Sequence, residues 1–232
     1  LKCDWNIDLF YSQNLFSHLG VYCTSLVREV AGFREGFEGS QDYDLALRCS
    51  EKVKPIQIYH VPKILYHWRA HNRSTAEDMK VKPYASVSAK KALDDHFSRV
   101  GIQAETEILG SGTYRVQYHL SEVKPMVTLV IVAKSDPQNL LRCVRSILSR
   151  TRYPRYGIIV IDNETRDPLM LKYLDQFKHE FGIRLIQEGR QLNYSALNNA
   201  AVKLAEGEIV CLLGKDTEVI NPGWLSEMVS HA

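Results

Sequence analysis

From Val127 onward the chain alternates unbroken apolar runs with segments of helical period. Val127-Thr128-Leu129-Val130-Ile131-Val132 is β-branched and nearly free of polar positions, as expected of a strand covered on both faces. Pro137 marks a helix start, after which Leu140, Leu141, Val144, Ile147 and Leu148 recur every three or four residues. The same logic predicts a strand at 157–161, a helix at 168–181, a strand at 183–187 and a helix at 194–206. A strand at 208–213 and a short helix opening at Pro222 complete the series. Repeated strand–helix alternation predicts an α/β unit with a mostly parallel sheet.

The earlier residues follow another pattern. Trp5, Phe10, Tyr11 and Phe16 give an irregular aromatic start. Helices are predicted at 24–31, ended by Gly32, and at 41–52 and 83–100. Short alternating runs predict strands at 56–60, 64–68 and 114–118. The polar stretch Ser121-Glu122-Val123-Lys124-Pro125 separates the two patterns, which predicts domains at 1–120 and 121–232.

Composition narrows the class without choosing a function. The chain has 232 residues, 45% apolar and 24% charged, with a formal charge of +2. That is ordinary globular composition, and the charge is too small to imply a nucleic-acid partner. The five cysteines form no Cys-x-x-Cys pair, which gives no zinc pattern and no paired disulfide framework. Reduced thiols and the absence of any apolar run near the roughly 20 residues of a membrane span predict a cytoplasmic location. Leu1 in place of an initiator methionine predicts an internal piece of a longer protein.

In an open parallel sheet, ligands collect beyond the carboxyl ends of the strands. Polar residues cluster at three such ends: Lys134-Ser135-Asp136, Asp162-Asn163-Glu164, and Lys215-Asp216-Thr217-Glu218. Singly, each acid reads as a turn former or helix cap. Together at one edge they point to a nucleotide site. In the earlier half, Ser40 stands at an N-cap position, which places Asp42 in a first helical turn where the dipole favours a carboxylate.

These pieces resemble a family 2 glycosyltransferase of the GT-A fold. The likeness rests on the opening strand, Ile159-Val160-Ile161-Asp162-Asn163, Asn193-Tyr194-Ser195-Ala196-Leu197-Asn198-Asn199 and Asp216-Thr217-Glu218-Val219. In the earlier half it rests on Gly39-Ser40-Gln41-Asp42-Tyr43-Asp44 and on Arg69-Ala70-His71 through Thr75. The acceptor-side motif comes first and the donor-side motif second, the reverse of a single module. The resemblance therefore implies an α/β chain of two partial GT-A modules from a tandem enzyme of surface-polysaccharide (O-antigen or rhamnan) synthesis: an acceptor-side tail, then a nucleotide-sugar-binding head.

It further implies transfer of a sugar from a nucleoside-diphosphate sugar to a glycan or lipid-linked acceptor, with inversion. Asp42 would be the general base, with Gln41, Asp44 and Trp5 on the acceptor side. Asp136, Asp162, Asn163, Asn193, Asn198, Arg69 and His71 would meet the donor. Asp216 and Glu218 would hold Mg²⁺ or Mn²⁺, although Gly214 and Lys215 stand where the family carries Asp or Asn. The parent protein would then meet its acceptor at the inner membrane face. The alternative is a non-catalytic glycan- or nucleotide-binding module with a decayed metal site. A GT-A-like nucleotidyltransferase ranks lower, because Ala133-Lys134-Ser135-Asp136 offers no Gly-rich phosphate loop.

Overall fold

The computed structural model describes residues 2–16, 18–67, 83–110, 112–134, 136–163, 165–187 and 193–232. The chain divides into two compact units, Leu1–His119 and Leu120–Ala232.

The second unit carries the parallel sheet. Its strands are β3 (Val127–Ala133), β4 (Tyr156–Asp162), β5 (Arg184–Gln187) and β6 (Ile209–Leu213), in the spatial order β5-β4-β3-β6. All neighbouring pairs run parallel, with Ala133 opposite Asp162 and Ile131 opposite Leu213. Every residue of β3 is buried, so the apolar run in the sequence reflects cover on both faces.

Alternate strand residues point to opposite faces. Leu129 and Ile131 pack with α5 (Pro137–Arg150) and α6 (Pro168–Glu180) through Leu140, Val144, Ile147, Leu174 and Phe177. Val130, Val132, Ile159 and Ile161 face α7 (Tyr194–Val202) through Leu197 and Ala201. Leu225 and Val229 of α8 (Trp224–Ser230) complete the first cluster. The chain steps outward from β3 to β4 to β5, then returns to place β6 on the far side of β3. This reversal makes the β3/β6 junction a topological switch point, where open α/β sheets bind ligands. Gly207 allows the return. A Cβ there would lie 2.7 Å from Met126 O and from Thr128 N.

The first unit has no parallel sheet among its described residues. It consists of α1 (Ile7–Ser12), α2 (Thr24–Glu29), α3 (Gln41–Ser50), a 3-10 turn (Pro55–Gln57), α4 (Pro83–Val100) and an antiparallel hairpin, β1 (Ala104–Gly110) with β2 (Thr113–Tyr118). Phe10, Tyr43, Leu47, Leu93, Phe97 and Val116 form its core. Burial of each such large side chain contributes about 1.5–3 kcal/mol.

Three expectations change here. Strands do not form at 56–60 or 64–67, where a 3-10 turn and irregular chain leave Ile56, Tyr59, Ile64 and Leu65 exposed. Pro55 and Pro62 stand just before these runs, and no neighbouring strand among the described residues supplies their backbone partners. β1 escapes the sequence pattern because its Glu105 and Glu107 make it polar and mostly exposed. Helix α7 stops at Val202 rather than 206.

Candidate functional site

The polar ends of β3, β4 and β6 share the carboxyl edge of the second unit's sheet. Asp136 follows β3 with left-handed backbone (φ 52°) and caps α5 by accepting from the Asn139 amide at 3.2 Å. The Asn139 carboxamide then bridges two acids. Its Nδ2 donates to Asp136 Oδ2 at 2.7 Å and to Asp216 Oδ1 at 3.0 Å, while Arg142 donates to Asn139 Oδ1 at 3.0 Å. Lys215 Nζ lies 2.6 Å from the same Asp216 oxygen.

This fastens the loop after β6 to the first turn of α5, across the switch point. The Lys215 ammonium, and secondarily the Asn139 amide, hold the Asp216 carboxyl below the usual carboxylate range. Sequence reasoning missed Asn139. The signal was present in Asp136-Pro137-Gln138-Asn139, a cap acid followed three residues later by a carboxamide.

The other donor-side candidates divide. Asp162 ends β4 at 3% exposure, and its carboxylate accepts from the Thr165 amide at 3.2 Å, shaping the turn into α6. Asn163 follows it, half-buried. Asn193 is the N-cap of α7 and accepts from the Ala196 amide at 2.9 Å. Asn198 is buried in α7; its amide donates to Tyr194 O at 2.8 Å, and its Oδ1 has no partner among the described residues. Arg69 and His71 lie outside the described residues.

Asp216 and Glu218 are engaged at different points along α5. Asp216 is tied to Asn139 in the first turn of α5, whereas Glu218 pairs with Arg150, the last residue of that helix, at 3.2 Å. These anchor points are about 16 Å apart along the helix axis, at 1.5 Å per residue. The remaining carboxylates near Asp216 do not fill the gap. Asp136 is already donated to by Asn139, and no group of three or more His, Cys, Asp or Glu that could hold a metal ion occurs among the described residues. The two expected metal-side acids thus have different partners, Asp216 with Lys215 and Asn139, Glu218 with Arg150. An ammonium on the Asp216 oxygen opposes a divalent cation there by like-charge repulsion.

In the first unit, α3 separates Asp42 from Asp44. Positions two apart on a helix point about 200° from each other, at roughly 100° per residue. Asp42 is half-buried in the first turn, where Asn14 Nδ2 donates to its Oδ2 at 3.0 Å. Asp44 faces inward with 0% side-chain exposure. It accepts from Arg34 through both oxygens, and from Arg48 Nε at 2.9 Å and Nη2 at 2.7 Å. Burial opposes its charge, but the two guanidinium groups outweigh that cost and hold its carboxyl below the usual range. Asp44 is thus taken up as an anchor for α3, with no face left for an acceptor.

Ser40 occupies the N-cap position without capping: its hydroxyl donates to Ala85 O at 2.7 Å and ties α3 to α4. Gly39 is required beside it. Its φ is +85°, and a Cβ would lie 2.8 Å from Tyr84 and 2.9 Å from the Ala85 side chain. Gln41 is exposed. Trp5 packs against Phe10 and Phe16, with ring centroids 5.0 and 5.8 Å away. It also lines a recess of about 410 Å³ with Asp8, Ser50, Val53 and Ile58.

The second unit is thus an open, doubly covered parallel α/β domain with a charged, loop-fastened edge at its switch point. Residues 128–232 match the family described as glycosyl transferase family 2. Two curated relatives align with the whole chain. An uncharacterized protein of Sinorhizobium fredii is 46% identical over 235 positions, and the O-antigen biosynthesis protein RfbC of Myxococcus xanthus is 34% identical over 231. The chain spans only 26% and 18% of their respective lengths.

Among solved structures, the mannosyltransferase PcManGT of Pyrobaculum calidifontis, in complex with GDP-Man and Mn²⁺, is similar at 20% identity and a TM-score of 0.42. That match covers 47% of this chain and 32% of that one. TarS of S. aureus (residues 1–349) matches at 18% identity and a TM-score of 0.40, covering 45% and 31%. No helix among the described residues is long and apolar enough to cross a membrane.

Proposed function

We propose that the chain joins the acceptor-side end of one glycosyltransferase module to the donor-side start of a second. Within the parent enzyme these would transfer a sugar from a nucleoside-diphosphate sugar to a glycan or lipid-linked acceptor in cell-surface polysaccharide synthesis. The observation that carries this reading is the switch-point edge of the family-matched unit, where Asn139 gathers Asp136 and Asp216 and Asp162 ends the adjoining strand. The alignment of both units with an O-antigen biosynthesis protein supports the polysaccharide setting.

In this proposal Asp42 accepts the proton of the acceptor hydroxyl, and the freed oxygen attacks the anomeric carbon. The bond from that carbon to the diphosphate oxygen breaks, its electron pair leaves with the nucleoside diphosphate, and the configuration inverts. The hydrogen bond from Asn14 fixes one carboxylate oxygen of Asp42, and the buried Asp44 pairs fix the helix that carries it. Asp162 would position the nucleoside of the second module. Asp42 and Asp216 would serve different modules. A lipid-linked acceptor would place the parent enzyme at the inner face of the membrane.

The test uses the full-length parent. Asp42→Asn is expected to lower transfer by about 10²–10⁴-fold, as for loss of a general base, with donor binding unchanged. Undiminished turnover would remove Asp42 from the reaction. Asp162→Asn in the present chain is expected to weaken nucleotide binding by calorimetry, and unchanged affinity would remove Asp162 from the donor site.

A further inference from the structure

We propose that Lys215 supplies the positive charge that receives the donor's diphosphate in the second unit, in the place where a divalent cation on Asp216 would be expected. This rests on the donor-site proposal above and gives that site a different chemistry.

The Lys215 side chain is only 16% exposed, unusual for lysine, and its ammonium is held 2.6 Å from Asp216 Oδ1. Asp216 itself is 63% exposed. The neighbouring carboxylate fixes the ammonium in place and takes one of its hydrogens. An ammonium has three donors, so others remain for phosphate oxygens. The position is also set by the fold: Lys215 follows β6 at the switch point, beside the first turn of the fourteen-residue helix α5, whose positive dipole end favours an anion.

The metal alternative meets three obstacles in the same geometry. The Asp216 Oδ1 that would ligate a cation already accepts from Lys215 and Asn139. Asn139 also donates to Asp136, the other carboxylate its amide bridges. Glu218 is drawn to Arg150 at the other end of α5. A divalent ion on that oxygen would have to displace the ammonium and the carboxamide from it. Asp216 is accordingly a positioning residue for Lys215, with Asn139 locking the pair to α5.

The two chemistries predict opposite signs for Lys215→Gln and different magnitudes for Asp216→Asn. Titration calorimetry on the whole chain would use UDP, GDP and dTDP, in EDTA and again with Mn²⁺. The wild type is expected to bind one of these equally well in both buffers. Lys215→Gln should weaken that binding about tenfold or more, the scale of losing a charge-assisted hydrogen bond, and Lys215→Arg should retain most of it. Asp216→Asn should have the smaller effect.

Binding that requires Mn²⁺, is abolished in Asp216→Asn and improves in Lys215→Gln would overturn the inference while leaving the donor site standing. No binding of any of the three nucleotides, with or without metal, would overturn the donor-site proposal and this inference with it. Circular dichroism of each variant separates a binding loss from a folding loss.

Discussion

Replacing Asp44 by asparagine should unfold the first unit far more readily than any change at the half-buried Asp42. The Asp44 side chain is fully buried, that of Arg48 is 8% exposed, and that of Arg34 is one-third exposed. Removing one partner of a buried ion pair leaves an uncompensated charge and costs about 3–5 kcal/mol. Asparagine keeps one acceptor oxygen and Arg34 can reach water, so the low end, about 3 kcal/mol, is expected. In a domain of this size that shifts the midpoint by about 10 °C.

The pH dependence follows from the lowered carboxyl. Asp44 contributes stability that is fully present above the unfolded aspartate pKa of about 3.9 and is lost as pH falls through its lower folded value. The wild-type advantage should therefore persist at neutral pH and shrink in acid. Urea unfolding followed by hydrogen exchange in 41–50 and 83–100 reads this unit directly. A loss below about 1 kcal/mol at neutral pH would refute the claim that these pairs are buried and coupled.

Further changes have expected outcomes. Gly39→Ala should cost about 1–3 kcal/mol by denaturation, from the positive φ and the contact with Tyr84 and Ala85; a neutral result would show that the α3–α4 approach is looser. Asn198→Leu should leave stability unchanged or raised, since it removes a buried oxygen without a donor; a loss above about 2 kcal/mol would show that the oxygen is satisfied. Lys215→Met should raise the Asp216 pKa toward the ordinary aspartate value in a carboxyl NMR titration, and an unmoved value would place the ammonium elsewhere. Glu51→Gln should destabilise the first unit, because Glu51 accepts from Arg99 at 2.6 Å and lies 2.7 Å from buried His96. An unchanged melting curve would mean that brace is idle.

The second unit was largely legible in the sequence because its physics is local. A strand covered on both faces shows as an unbroken apolar run, and α5 shows as an apolar stripe that begins after Pro137. The edge was legible only as a set of polar strand ends. Which of them meet depends on the path of the loop after β6 along α5, which sends Asp216 to Asn139 and Glu218 to Arg150. No residue pattern encodes that path.

In the first unit the motif Gly39-Ser40-Gln41-Asp42-Tyr43-Asp44 stood out, but its division of labour did not. Gly39 and Ser40 meet α4, Asp44 meets Arg34 and Arg48, and Asp42 is left toward Asn14. Arg34 and Asn14 come from distant segments, so the sequence carried no local sign of either. The strand expected at 56–60, and the described part (64–67) of the one expected at 64–68, failed for the complementary reason. Alternation is local, whereas a strand needs a partner.

Donor binding by the second unit requires that an activated sugar be held at the carboxyl edge of β3, β4 and β6. Backbone amide NMR of the chain during titration with a nucleoside-diphosphate sugar tests it most directly. The predicted result is saturable shifts concentrated at Asp136–Asn139, Asp162–Asn163 and Gly214–Thr217. Saturable shifts confined to other surfaces, or none across UDP-, GDP- and dTDP-sugars, would contradict it.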